Sequence, residues 1–238
     1  MNYLVIVLGL FLAFCSPTVI AEINTLPDFA AYKDVKQKKN AFFNYMLPYV
    51  KKANKEILAE REEIASMNFK KLDSKQLERV KELQKKYRVD DKQGLPDAKK
   101  KMLGKIDIIP ASLALAQAAN ESSWGTSRFA KKAYNFYGQW CFTKGCGLVP
   151  KKRSAGMVHE VRKFNSPYDS VKGYMLNLNS HPAFAKVRKN RSLLREQGKK
   201  PLGIELAKGL EKYSERKQEY IKEISAMIRH NKLFDLDS

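Results

Sequence analysis

Residues 110 to 125 read Pro-Ala-Ser-Leu-Ala-Leu-Ala-Gln-Ala-Ala-Asn-Glu-Ser-Ser-Trp-Gly, an alanine-rich helix with one acid, Glu121, just before a Ser-Ser-Trp-Gly break. Pro110 suits the first turn of such a helix and Gly125 its exit, so Glu121 is predicted in the last turn. The negative end of a helix disfavours a second negative charge, and an alanine-lined wall adds a desolvation cost. Both push a glutamate above its reference pKa of about 4.3. A carboxylic acid still protonated near neutral pH can donate a proton to a leaving oxygen. Trp124 adds a flat apolar face suited to a sugar ring. Taken alone, a glutamate on a helix is more often a surface residue, so the rest of the chain has to decide.

Of the 238 residues 44% are hydrophobic, enough for one good core and an extension. Residues 1–21 hold no charged side chain; Tyr3 to Phe14 is an apolar run, and Pro17 and Val19-Ile20-Ala21 follow. This resembles a secretory signal cleaved after Ala21. The run is shorter than the roughly 20 residues a membrane anchor needs. Cys15 follows the bulky Phe14, which does not suit lipid modification. The expectation is export and release to the periplasm or cell envelope, with membrane contact at most through an uncleaved leader.

Because the leader is uncharged, the mature chain keeps the whole net charge of +20, from 45 Lys and Arg against 25 Asp and Glu. Such an excess suits a polyanionic partner such as a cell wall or an anionic envelope surface. Nucleic acid is not expected: no zinc-ligand spacing, aromatic RNP-like strand or helix-turn-helix pattern is present. Cys141 and Cys146 bracket a glycine-containing turn and are expected to form a small disulfide loop in an oxidising compartment. His159, His181 and His230 are scattered without ligand-like spacing, so no metal and no cofactor is expected.

Residues 22 to about 34 look like a linker. From Val35 the apolar positions Phe42, Phe43, Met46, Val50, Ile57 and Ile64 follow helical steps, with Pro48 expected to kink or divide the helix. A second helix is predicted from Ser74 to Tyr87, then a loop through Asp90, Gly94, Pro96 and the lysines 99 to 101. After the Glu121 helix a short helix is expected near 126–133. Asn135-Phe136-Tyr137-Gly138-Gln139-Trp140 then leads to the cysteine loop, and residues 147 to 164 suggest a small hairpin. Ser166-Pro167-Tyr168-Asp169 has a helix-start signature. Further helices are expected over 183–197, 203–210 and 215–230. The predicted organisation is a signal peptide at 1–21, an N-terminal helical extension at 22–104 and a catalytic domain at 105–238.

Ala-Gln-Ala-Ala-Asn-Glu-Ser-Ser-Trp-Gly resembles the Ala-Gln-x-x-x-Glu-(Ser/Thr)-x-(Trp/Tyr)-Gly signature of the glucosaminidases of glycoside hydrolase family 73, lysozyme-like enzymes that cut peptidoglycan. Asn135 to Gly138 resembles that family's Asn-Leu-Phe-Gly element, and Tyr168 to Val171 with Tyr174 resembles its tyrosine-bearing region in contracted form. Tyr213-Ser214 and Tyr220-Ile221 resemble its closing Tyr-(Ala/Ser)-x-x-x-x-Tyr segment. Gln-Trp-Cys-Phe-x-x-Gly-Cys-Gly-Leu-Val-Pro is similar to the Bax-type branch. The likeness runs from about residue 35 to the end.

The resemblance implies a mainly α, lysozyme-like catalytic domain with a small β-hairpin lobe over its cleft. It implies an endo-β-N-acetylglucosaminidase that cleaves the β-1,4 bond after N-acetylglucosamine in peptidoglycan glycan strands. Glu121 would be the general acid. A second carboxylate is expected in the lobe, where Glu160 fits because no other acid lies between Glu121 and Asp169. Tyr168 resembles a cleft-facing tyrosine that orients the N-acetyl group or water. Trp124, Tyr137 and Trp140 are candidates for sugar stacking, and Asn135 and Gln139 for hydrogen bonds to it; turn-forming roles fit these two equally. The alternatives are a muramidase or lytic transglycosylase with a single glutamate, and a basic, noncatalytic wall-binding protein.

Overall fold

The computed structural model describes residues 26–90, 94–151, 153 and 156–237, so the expected leader lies outside the described residues. The fold is mainly α with a small antiparallel sheet. Helix α1 (Val35–Ser66) opens on Asp34, whose side chain accepts from Gln37 N at 2.7 Å. It runs through Pro48 without dividing. Pro48 and Asn44, four residues earlier, are both exposed, so the carbonyl that loses its helical donor lies on the solvent side of the helix.

The expected linker is partly core. Phe29 is fully buried, edge-on to Phe42 at 5.4 Å and Tyr45 at 5.7 Å. Its ring occupies the space beside Gly125, where an added Cβ would lie 2.5 Å from it. The stretch is of mixed character with few periodic positions, which is why the sequence did not reveal Phe29 as core.

Helix α2 (Ser74–Tyr87) matches its expected bounds and starts on a reciprocal Asp73–Gln76 capping box. The expected loop through the lysines 99 to 101 is instead helix α3 (Leu95–Lys105). Ala98, Met102 and Ile106, spaced four apart, are fully buried and override the lysine-rich composition. Lys99 Nζ donates to Ala65 O at 2.8 Å and Met67 O at 2.6 Å, capping the end of α1.

Helix α4 (Ala111–Glu121) is the centre of the molecule, with Leu113 to Ala119 all buried. It packs against α1 and, beyond it in sequence, α8 (Gly203–Ala207), α9 (Gln218–His230) and the closing 3-10 turn Leu233–Leu236. Pro110 supplies no side-chain cap. Asp237, 125 residues away, supplies it: its carboxylate accepts from Ser112 N at 2.9 Å and Ser112 Oγ at 2.6 Å, and from Gly203 N at 2.9 Å. One carboxylate thus caps two helices.

Helix α5 (Arg128–Ala133) leads to three short strands, β1 (Trp140–Cys141), β2 (Gly147–Leu148) and β3 (Glu160–Arg162), in the order β1-β3-β2. The expected hairpin is the β2–β3 pair, and β1 adds a third strand with Trp140 opposite Val161 and Cys141 opposite Glu160. Helix α6 (Pro167–Ser180) starts as expected, with Ser166 Oγ accepting from Asp169 N at 3.1 Å. A 3-10 turn (Pro182–Phe184) and α7 (Ala185–Glu196) follow. Helix α9 begins three residues later than expected, after Lys217 at φ +43°, with Ile221, Ile224 and Ile228 buried.

A polar latch fixes the α3–α4 junction. Arg191, 1% exposed, donates to the carbonyls of Gly104, Lys105, Asp107 and Ile108 and to Asn179 Oδ1. Asp107 pairs with Arg195 at 2.8 Å, Arg191 at 3.8 Å and Arg61 at 3.9 Å. Burial opposes ionisation of Asp107, but Arg195, Arg191 and Arg61 outweigh it and hold the carboxyl below its ordinary range. The core is continuous from Phe29 to Leu233, across the expected boundary at residue 104. No described helix is long and apolar enough to cross a membrane.

Candidate active site

Glu121 is the last residue of α4, and the chain leaves it by an unusual turn. Ser123, Trp124 and Gly125 have φ of +51°, +59° and +75°, three consecutive residues in the left-handed region. Such a run is costly for side-chain-bearing residues and persists where the surroundings enforce it. Here the buried Ser122 Oγ donates to Ala118 O at 2.6 Å and accepts from Gly125 N at 2.8 Å, while Trp124 N donates to Ala119 O at 2.8 Å.

A chain of hydrogen bonds ends on the glutamate. Tyr174 Oη donates to Gln117 Oε1 at 2.7 Å, Gln117 Nε2 donates to Tyr220 Oη at 2.9 Å, and Tyr220 Oη donates to Glu121 Oε1 at 2.7 Å. Gln117 precedes Glu121 by one turn and shares its helix face. Burial, then the charge of Glu121, pushes the Tyr220 hydroxyl far above its ordinary value, so it stays a donor. Tyr220 lies parallel to Tyr213 at 5.4 Å, and Tyr213 Oη donates to Tyr137 O at 3.0 Å.

Burial is the largest influence on Glu121 and raises its pKa; the hydrogen bonds from Tyr220 and Asn120 oppose it and Glu223 adds to it. The Tyr220 hydrogen already occupies Oε1, so the carboxylic proton belongs on Oε2. Oε2 faces Gly138, where an added Cβ would sit 3.5 Å away. Gly138 has φ +65°, a conformation that suits glycine and leaves the acidic oxygen without a side chain above it. The arrangement is a carboxyl of raised pKa with Oε1 held by Tyr220 and Oε2 beside Gly138.

The glucosaminidase family, described as mannosyl-glycoprotein endo-beta-N-acetylglucosaminidase, matches residues 96–233, which include all of α4, the lobe and α9. The chain belongs to the glucosaminidase family. It is also similar to Protein bax of Escherichia coli (strain K12), with 31% identity over 215 residues that make up 89% of this chain and 76% of that protein. No solved structure matches. The family assignment makes this a glycoside hydrolase-like protein of the Bax type, and the expected mainly α fold with a small β lobe agrees with the observed one.

Within this member of the family the sequence-derived candidates separate. The disulfide forms between Cys141 and Cys146, with Cα atoms 6.2 Å apart. Glu160 is buried in the lobe, where its oxygens accept from Gly145 N at 2.9 Å and Gly147 N at 2.7 Å. These two backbone bonds, the first from Gly145, hold its pKa below the ordinary value, so it is ionised. Both cysteine sulfurs lie within 4.8 Å of a Glu160 oxygen, but they are bonded to each other and neither is a thiolate available to a metal.

Asn135 is spent on the loop itself: its Nδ2 donates to Gln139 O at 2.8 Å and Arg162 O at 2.9 Å, and its Oδ1 accepts from Gln139 N at 3.0 Å. The Gln139 side chain packs against Gly173 of α6, where an added Cβ would meet its amide at 2.8 Å. Tyr137, 2% exposed, stacks on Tyr174 at 3.9 Å. These three build the wall beside Gly138.

Trp124 packs edge-on against Phe43 at 5.2 Å and Phe42 at 5.9 Å, with Lys39 over its ring. It therefore anchors α1 to the exit of α4. Tyr168 faces α1 as well, beside Glu56, with Lys52 over its ring at 4.4 Å. Of the expected stacking residues, Trp140 is the one whose ring is open to solvent on the lobe, half exposed and parallel to His159 at 3.8 Å. Gln117 and Tyr220 had no assigned role from sequence. Their signals were the four-residue step from Gln117 to Glu121 and the closing tyrosine pair.

Proposed function

We propose that this protein is an exported peptidoglycan hydrolase, an endo-β-N-acetylglucosaminidase in which Glu121 protonates the glycosidic oxygen. The observation that carries this reading is the half-buried Glu121 carboxyl, raised in pKa, with Oε1 tied to Tyr220 and Oε2 beside Gly138. The glycan enters along the 135–140 loop and Trp140, and the positive charge of the chain favours an anionic wall. Export is supported by the uncharged, apolar start of the chain and by the disulfide.

Cys141, which pairs with Glu160 across the β1–β3 ladder, follows Gly138 by three residues. That span is at most about 10 Å of extended chain. As second carboxylate Glu160 would activate water on the far face of the sugar and give inversion. Its engagement by the Gly145 and Gly147 amides favours a second reading, single-acid chemistry of the lytic transglycosylase kind.

The products separate these readings. Sacculi digested with the purified protein, then reduced with borohydride and analysed by mass spectrometry, are expected to carry new reducing-end N-acetylglucosamine. A 1,6-anhydro-muramoyl end would replace the first reading with the second. Intact sacculi would favour a noncatalytic wall-binding protein.

A further inference from the structure

The far end of the lobe carries a surface for which the glycosidase reading has no use. Phe142 and Val158 are each 70% exposed, and Val149 and Met157 are exposed beside them. The strand register explains their convergence. β1 and β2 both pair antiparallel with β3, so they run in the same direction and end at the edge where β3 begins. Phe142 follows β1, Val149 follows β2, and Met157 and Val158 precede β3. The disulfide and the Glu160 hold on the Gly145 and Gly147 amides keep this edge in one shape.

Charge around the tip has one sign. Lys144, Lys151 and Arg153 are exposed there, and from Ser122 to Tyr168 the sole acid is Glu160, which is buried and bound to backbone amides. An exposed apolar group ringed by cations, with no exposed anion, is the composition of an interfacial membrane contact.

We propose that this tip docks the protein on an anionic lipid bilayer. Phe142, Val149, Met157 and Val158 enter the boundary between headgroups and acyl chains, while Lys144, Lys151 and Arg153 reach the lipid phosphates. A glycan strand fits the tip less well, because sugars call for flat aromatic faces and neutral or acidic hydrogen-bonding groups, and the tip offers mainly aliphatic side chains and cations. The proposal does not depend on the chemistry of Glu121.

Vesicles of phosphatidylglycerol and phosphatidylethanolamine with brominated acyl chains test it, read by quenching of Trp140, two residues from Phe142, in the full chain. Quenching is expected with these vesicles and not with neutral phosphatidylcholine ones. Affinity should fall about fivefold for each of Lys144→Gln and Lys151→Gln, and about tenfold or more in Phe142→Ser/Val158→Ser. The double variant should keep the parental circular dichroism and the parental activity on soluble glycan. Absence of quenching, equal affinity for neutral vesicles, or parental quenching in the double variant overturns the proposal. So does a loss of sacculus binding in place of vesicle binding, which would make the tip a glycan surface.

Discussion

The Tyr220 hydroxyl lies 2.7 Å from Glu121 Oε1 and receives a hydrogen bond from Gln117 at 2.9 Å, so the tyrosine is oriented before it orients the acid. Ninety-nine residues separate the two partners, and the bond joins the end of α4 to the first turn of α9. It makes one carboxyl oxygen an acceptor and leaves the other for the proton that catalysis would transfer.

Tyr220→Phe removes the bond that lowers the Glu121 pKa, so that pKa rises further and the alkaline limb of the rate profile moves to higher pH. We expect kcat to fall by roughly ten- to a hundredfold, as the acid is no longer held in one orientation. Gln117 Nε2 also loses its acceptor, at a cost of about 1–3 kcal/mol in stability. A pH–rate profile and a denaturant titration check both; an unmoved alkaline limb would leave Tyr220 a packing residue.

Glu121 should trade stability for function. Its folded pKa is raised, so the folded state binds the proton more tightly than the unfolded chain. Its contribution to stability therefore falls as pH rises from about 4.3 through the folded value. Glu121→Gln removes this cost: its thermal midpoint should exceed the parent's at pH 8 and approach it at pH 4. Thermal unfolding across pH provides the measurement.

Glu160→Gln places an amide N–H against one of the N–H groups of Gly145 and Gly147 that the carboxylate now satisfies. The lobe should become more sensitive to proteolysis. The folded pKa is depressed, so the stabilisation is present above about 4.3 and lost as pH falls through the folded value. If Glu160 is the second carboxylate, activity falls about a hundredfold or more; if it only holds the loop, activity falls far less and recovers when the loop is otherwise braced.

Asp107 predicts acid sensitivity at the α3–α4 junction. Its depressed carboxyl pKa means that the latch is fully formed above about 3.9 and fails as pH falls through the lower folded value. Asp107→Asn leaves the buried Arg191 without its counter-charge and should cost about 3 kcal/mol or more, measured by urea unfolding at neutral pH.

Local signals in the sequence were read well where one element decides the outcome. Ser166-Pro167-x-Asp169 starts α6, the 74–87 stripe is α2, and Pro110 with Gly125 frames α4, because caps and periodicity act within a few residues. Phe29 against Gly125, Asp237 on Ser112 and Tyr220 on Glu121 are decided by packing between distant segments, and no local pattern reports them. Helix α3 was missed because its lysines outweigh three buried apolar residues in composition. Trp124 was expected to stack on sugar and Tyr168 to face the cleft; contact with α1 gives both a structural partner.

The central claim is that Glu121 is the proton donor, and carbon-13 NMR titration of its side-chain carboxyl, beside the pH–rate profile on sacculi, tests it most directly. The account predicts a Glu121 pKa above the ordinary value of about 4.3, coincident with the alkaline limb of the profile, and no measurable cutting by Glu121→Gln. A Glu121 pKa at or below that value, or a Gln variant that still opens sacculi at the parental rate, would contradict it.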